Sequence, residues 1–169
     1  KCIKSLLNQN YDKNKLNIIL INDGSKDKTG QILDTYSHET QINIIHNKKN
    51  MSQAYTRNIG ILNGTSEVIC FLDSDMIVND NWIRSFINIL SKKEVVGVVG
   101  EKKCPSKKKN KLEKYLYNKK RGARKYGEDF PISFQYFLFS NTALKRCVFN
   151  SIKTFDEQFI SYGGEDTDL

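Results

Sequence analysis

Val68-Ile69-Cys70-Phe71-Leu72-Asp73-Ser74-Asp75 is an unbroken apolar run of strand length that stops on two carboxylates. A run without polar alternation is what a strand buried on both faces requires, as in a parallel sheet covered by helices. Upstream, Leu16-Asn17-Ile18-Ile19-Leu20-Ile21 has the same character and ends in Asn22-Asp23-Gly24-Ser25. Between the two, Thr29 to Glu39 reads as a helix with Ile32, Leu33 and Tyr36 on one side and Asp27 as its cap. Ile42 to His46 follows as a strand and Ser52 to Asn63 as a helix. Downstream, Asn81 caps a helix whose face is Trp82, Ile83, Phe86, Ile87 and Leu90, and Val95 to Val99 is a further strand. A short helix on Ile3, Leu6 and Leu7 opens the chain. This β-α-β alternation predicts an α/β domain with a mostly parallel central sheet flanked by helices. Ligands of such open sheets bind at the carboxyl ends of the strands, and the polar clusters stand there.

Beyond Glu101 the regularity ends in a lysine-rich loop, a helix near Leu112 to Tyr117 and an aromatic run from Phe130 to Phe139. Within that run Phe134, Tyr136 and Phe139 read as a strand packing on the first lobe or as part of an acceptor surface, with core the commoner fate of such residues. Nothing marks a linker, so the 169 residues are expected to form one domain in two lobes, 1–101 and 102–169. A composition of 38% hydrophobic and 27% charged residues excludes a disordered chain. No run of about 18 apolar residues that could span a bilayer occurs, and Lys1 opens no signal-peptide pattern. Cys2, Cys70, Cys104 and Cys147 are scattered, which gives no zinc ligand set and predicts four free thiols in a reducing compartment. The net charge of +8 is concentrated around Lys102-Lys103, Lys107 to Lys109, Lys119 to Arg121 and Arg124-Lys125. Such a stretch is either a solvated face or a contact for an anionic surface or substrate.

Four clusters can carry chemistry. Asp73-Ser74-Asp75 plants oxygen ligands at a strand end, which suits Mg²⁺ or Mn²⁺ when a diphosphate completes the shell; read alone, the same acids serve as turn or cap residues. Asn22-Asp23-Gly24-Ser25 joins strand to helix, where a carboxylate can accept from a base imide or a ribose hydroxyl and where ordinary capping also explains it. Arg57, on a helix with an apolar face, is either a phosphate ligand or an exposed arginine. Gly163-Gly164-Glu165-Asp166 follows Phe155-Asp156-Glu157 and offers acids that can take a proton from a sugar hydroxyl or open a helix.

In this order the clusters resemble the family 2 inverting glycosyltransferases with the A-type, Rossmann-like nucleotide-sugar fold. The resemblance is carried by Ser5-Leu6-Leu7-Asn8-Gln9, Asn22-Asp23-Gly24-Ser25 with Asp27 and Thr29, Arg57-Asn58-Ile59-Gly60, Phe71-Leu72-Asp73-Ser74-Asp75, and Phe155-Asp156-Glu157 through Gly163-Gly164-Glu165-Asp166-Thr167-Asp168-Leu169. The last segment is also similar to the Gly-Gly-Glu-Asp stretch of galactosyl- and N-acetylgalactosaminyltransferases and of chondroitin-type polymerases. It implies a UDP-sugar donor and a glycan or lipid-linked acceptor, with Asp23 on the uracil base, Arg57 near base or diphosphate, and Ser74 and Gly164 in the donor site. It further implies Asp73 on ribose or metal, Asp75 on Mn²⁺ or Mg²⁺, and Asp166 as the base, with Glu165 the alternative.

The family's opening strand and its Pro/Tyr-bearing nucleotide loop have no counterpart before Ile3, so the chain is expected to be an internal segment lacking that first strand. A cytoplasmic location, at the inner face of the membrane with peripheral contact, goes with polysaccharide or surface-glycan synthesis. A D-x-D phosphatase is the rival enzyme, but Met76 and Ile77 fit it poorly and it leaves Asp23 and Asp166 unexplained. A basic nucleic-acid-binding module is the rival from another class; it has no use for the acids, so no nucleic-acid partner is expected.

Overall fold

The computed structural model describes residues 1–104, 110–120, 122–126, 131–159 and Asp166. The elements follow as α1 (Cys2–Leu7), β1 (Ile18–Asp23), α2 (Thr29–Asp34), β2 (Ile42–Asn47), α3 (Gln53–Asn63) and β3 (Val68–Leu72). After these come α4 (Trp82–Leu90), β4 (Gly97–Val99), α5 (Lys111–Leu116), β5 (Asn141–Lys145) and α6 (Cys147–Ile152). Strands β1 and β2 pair in parallel from Ile18 opposite Ile42 to Asp23 opposite Asn47. The predicted α/β architecture is what the chain adopts; of the expected mostly parallel sheet, the described residues form β1–β2 as the parallel part, and their other pairings are antiparallel.

The second sheet differs in detail from the simple alternation. Strand β5 lies between β3 and β4 and is antiparallel to both, with Leu72 opposite Asn141 and Val99 opposite Thr142. Its residues Asn141-Thr142-Ala143-Leu144 are all buried although only two are apolar. The ladder satisfies their backbone groups, and Asn141 Oδ1 accepts the Trp82 indole N–H at 2.8 Å. Among the described residues, the Thr142 hydroxyl is buried without a hydrogen-bond partner.

Helices cover both faces of this sheet. On one side α4 buries Trp82, Ile83, Phe86 and Leu90 with Ala143. On the other, Ala54 and Ile61 of α3 and Phe149 of α6 pack with Leu144, Phe137, Phe139 and Phe155. Phe139 is 1% exposed and meets Phe71, Phe137 and Phe155 at centroid distances of 5.1, 5.2 and 4.7 Å, each edge-on. Burying such a ring contributes about 2–3 kcal/mol, and each edge-to-face pair adds roughly 1 kcal/mol. The aromatic run is therefore core at Phe137 and Phe139 and forms a single 3-10 turn, Phe134–Tyr136, rather than a strand.

Several boundaries also move. β1 runs two residues further than the apolar run, because Asn22 and Asp23 pair with His46 and Asn47. The predicted helix to Glu39 ends its regular part at Asp34, and the turns after it close through i→i−3 bonds such as Tyr36 N–H to Leu33 O at 2.9 Å. β4 begins at Gly97 rather than Val95. The four cysteines are free.

Candidate functional site

A cavity of about 520 Å³ opens at the carboxyl ends of β1 and β3. Asp23 ends β1, Asp73 and Ser74 follow β3, and the entrance to α3 supplies Asn50, Ser52, Gln53, Thr56 and Arg57 to the same wall. Phe71, Phe139 and Phe159 give it an apolar floor. The site thus lies where the sheet's topology places ligands.

Asp23 is held by the loop opposite. Its Oδ1 accepts from Asn47 Nδ2 at 2.8 Å and from the Met51 backbone N–H at 2.9 Å, and its Oδ2 accepts from the Ser52 N–H at 3.3 Å. Ser52 sits at φ +105°, a conformation non-glycine residues rarely adopt. The Asp23 contact and the cap that Ser52 Oγ gives Tyr55 N–H keep it there. Gly24 has φ +69°, and a Cβ on it would fall 2.4 Å from the Lys49 carbonyl carbon. Only glycine lets the two loops approach so closely.

Asp73 is half-buried, and its backbone N–H donates to Ser140 O at 3.0 Å while its carbonyl accepts from Met76 N–H at 3.1 Å. Burial pushes its carboxyl above the ordinary aspartate range. The Lys102 ammonium opposes that rise most strongly, Asp75 adds to it, Arg57 opposes it and Asp166 adds to it. Asp73, Asp75, Asp166, Arg57 and Lys102 therefore share one electrostatic neighbourhood. Asp75 is exposed and lies outside the residues lining the cavity.

Arg57 is not the exposed arginine of the bland alternative. Its side chain is 9% exposed, its guanidinium lies over Phe139 and Phe155 at 5.6 and 5.2 Å, and its Nη1 donates to Asp166 Oδ1 at 2.5 Å. The structure therefore brings Asp166 to the Arg57 wall of the cavity across 109 residues of chain. Gly164 and Glu165 lie outside the described residues.

Several contributors were not singled out from the sequence. Asn58, 3% exposed within the buried stripe of α3, donates to Phe155 O at 2.8 Å and Glu157 Oε1 at 2.9 Å and accepts from Phe155 N–H at 3.0 Å. Lys102, counted only as part of a basic run, donates to Ser140 Oγ beside Asp73. Gln9 docks α1 against the start of α4 through Asn79 O at 2.7 Å and Ile83 N–H at 3.0 Å. Asn and Gln in those positions carry no local signal, because their partners are distant in sequence.

The donor set suits a hard divalent cation, since Asp73 and Asp75 offer carboxylate oxygen only. Among the described residues no three or more His, Cys, Asp or Glu side chains form a metal cluster. The protein would supply two acids, and substrate oxygens and water would complete the shell.

Strand order, cavity position and acids at the strand ends define the A-type fold of nucleotide-sugar transferases. In solved structures the same fold recurs in TarS of S. aureus in complex with UDP, with a TM-score of 0.74 at 17% identity over 98% of this chain and 48% of that one. It recurs likewise in the mannosyltransferase PcManGT of Pyrobaculum calidifontis in complex with GDP-Man and Mn²⁺, with a TM-score of 0.75 at 18% identity over 98% and 44%. The chain belongs to glycosyl transferase family 2, whose family model matches residues 1–148. Among curated relatives, the glycosyltransferase GlyG of Streptococcus pneumoniae serotype 4 is 31% identical over 101 residues, 59% of this chain and 33% of GlyG. The matched region thus spans about a third of that relative's length.

Proposed function

We propose that the chain carries the donor site and catalytic acids of an inverting transferase that moves a sugar from a UDP-sugar to a glycan or lipid-linked acceptor. The observation that carries this reading is the convergence of Asp23, Asp73 and the Arg57–Asp166 pair on one cavity. Residues 1–101 form the donor side and 102–169 the acceptor and catalytic side.

Asp23 Oδ2, which takes only the longer Ser52 bond, is the oxygen that accepts the uracil imide N–H. Asp73 shares the ribose and the cation, Ser74 and Gly164 lie along the donor, and Asp75 is a metal ligand. A bound Mn²⁺ or Mg²⁺ supplies charge stabilisation for the departing diphosphate. Arg57 orients Asp166 through Oδ1, so the acceptor hydroxyl proton goes to Oδ2. As that O–H bond breaks, the oxygen attacks the anomeric carbon from the face opposite the diphosphate. The carbon–oxygen bond to UDP breaks and the configuration inverts. Glu165 is the alternative base.

Isothermal titration of UDP into the intact protein, with Mn²⁺ and with chelator, tests the donor site. Metal-dependent binding that Asp75→Ala abolishes is the expected result. Binding indifferent to both chelator and Asp75→Ala would sink the metal assignment, and transfer from a UDP-sugar with retained anomeric configuration would sink inversion. No helix among the described residues is long and apolar enough to cross a membrane. A cytoplasmic site of action at the inner membrane face, in polysaccharide or surface-glycan synthesis, belongs to the same proposal.

A further inference from the structure

Twelve of the chain's 27 Lys and Arg lie between residues 102 and 125, against one of its 19 acids, Glu113. That segment therefore carries +11 while the remaining chain carries −3, so the basic character of the protein is the property of one region. Lys103, Lys111, Lys114, Lys119, Lys120 and Lys125 are all exposed. The single acid is occupied locally, since Glu113 Oε2 accepts the Asn110 N–H at 2.8 Å in a capping box. Little within the segment offsets its charge. Of this set only Lys102 borders the site, as a neighbour of Asp73, and the transferase chemistry proposed above assigns a role to none of them.

Within the basic segment α5 also exposes apolar side chains. Leu112 and Leu116 stand one helical turn apart and are 63% and 43% exposed. Lys111 adjoins them at the start of the same short helix, while Lys114, two residues from each leucine, takes its opposite face. Leucines one turn apart on one face of a helix set in a lysine-rich segment are what an interfacial helix presents to lipid: the leucines enter the acyl boundary while cations around them meet headgroups. A nucleic acid or another polyanion would be served by the lysines alone and gives the leucines nothing to do.

The region is also tied to the site. Arg124 donates to Leu116 O at 2.9 Å and to Lys102 O at 3.2 Å, which fixes the end of α5 to the irregular chain leaving β4. Lys102 in turn bonds Ser140, whose carbonyl receives the Asp73 N–H at 3.0 Å. A surface that engages α5 is therefore a few bonds from the cavity mouth.

We infer that α5 and its flanking lysines dock on an anionic lipid surface, with Leu112 and Leu116 entering the headgroup boundary and the lysines pairing with acidic headgroups. The inference rests on residues 102–125 and not on the donor chemistry, so its failure would leave the transferase reading standing.

Co-sedimentation of the intact protein tests it, using vesicles of phosphatidylcholine alone and of phosphatidylcholine mixed with phosphatidylglycerol. Binding to the mixed vesicles, weakened by salt, is expected, with little binding to the neutral ones. Lys111→Gln should lower the partition coefficient about fivefold, and Lys114→Gln, on the opposite face of α5, should lower it less. Leu112→Ser with Leu116→Ser should lower it about tenfold, and because these side chains are exposed the circular dichroism and UDP affinity should not change. Equal binding to neutral vesicles, no binding to either, or indifference to the leucine pair would overturn the proposal. So would salt-sensitive binding to single-stranded RNA that outcompetes the mixed vesicles, which would assign the lysines to a nucleic acid instead.

Discussion

The Asn58 carboxamide pairs with both backbone groups of Phe155, donating to its carbonyl at 2.8 Å and accepting from its N–H at 3.0 Å. It does what a neighbouring strand would do for an otherwise unpaired segment, and it does so from inside the core, 97 residues away. Next to it on α3, Arg57 holds Asp166. Consecutive residues of one helix thus fix two points of the acidic region.

Asn58→Ala leaves the Phe155 N–H and C=O unpaired in a buried setting, and its cost should be about 3 kcal/mol in urea unfolding. Asn58→Asp keeps the acceptor but sets a carboxylate against Glu157. Adding Glu157→Gln restores a donor, so the double variant should recover more than half of the loss. A double variant no more stable than Asn58→Asp would show that the Glu157 contact at 2.9 Å contributes nothing.

Gly24 and Gly122 make a matched pair of tests. Both have positive φ, +69° and +59°, but a Cβ at Gly24 would strike the Lys49 and Asn50 backbone at 2.4 and 2.6 Å, whereas one at Gly122 has nothing within 4 Å. Gly122→Ala should cost only the left-handed backbone penalty of about 1 kcal/mol. Gly24→Ala must also push the 49–50 loop away from Asp23, so it should cost more than about 2 kcal/mol and weaken UDP binding at the same time. Equal melting temperatures for the two variants would remove the argument for close approach.

Asp73 sets function against stability. Its carboxyl is pushed up by burial, so the folded chain favours the protonated form more than the unfolded chain does. The stabilising contribution is fully present below the unfolded value and is lost as pH rises through the folded one. At neutral pH the ionised side chain is a cost, and a cation bound beside it offsets that cost. Asp73→Asn keeps the bonds to Ser140 and Met76, which are made by the backbone. In metal-free protein it should therefore raise the melting temperature at pH 7 by about one or two degrees, with the gain shrinking toward pH 4, while abolishing metal-dependent UDP binding. A variant less stable than the parent at pH 7 would contradict the assignment.

Much of this was readable from the sequence, for identifiable reasons. β1 and β3 announce themselves because strands covered on both faces need unbroken apolar runs, and α4 because its apolar residues recur at helical spacing. That Asp23 and Asp73 stand at strand ends, where they line the cavity, was legible because each follows such a run. β5 was not, since Asn141 and Thr142 are polar residues buried by a ladder and, for Asn141, by a bond to Trp82. The sequence leaves Arg57 open as a phosphate ligand or an exposed arginine, because the rings of Phe139 and Phe155 that bury its guanidinium are distant in the chain. Asn58 stood inside a quoted motif, but its role depends on a partner that no local pattern reveals.

The Arg57–Asp166 contact separates binding from chemistry. If Asp166 takes the acceptor's proton, Asp166→Asn keeps a polar group beside Arg57 and removes the base. The turnover number should then fall by at least about a hundredfold, with the donor KM within a few-fold of the parent. Arg57→Ala strips the floor of a cation that lies over two rings and leaves Asp166 unoriented, so KM and turnover should both deteriorate. Arg57→Lys restores charge without the planar fork and should recover little. Steady-state kinetics of the intact protein against a UDP-sugar, varying donor and acceptor separately, gives the split. Full turnover in Asp166→Asn with its loss in Glu165→Gln would move the base one residue earlier and leave Asp166 as the residue that positions Arg57.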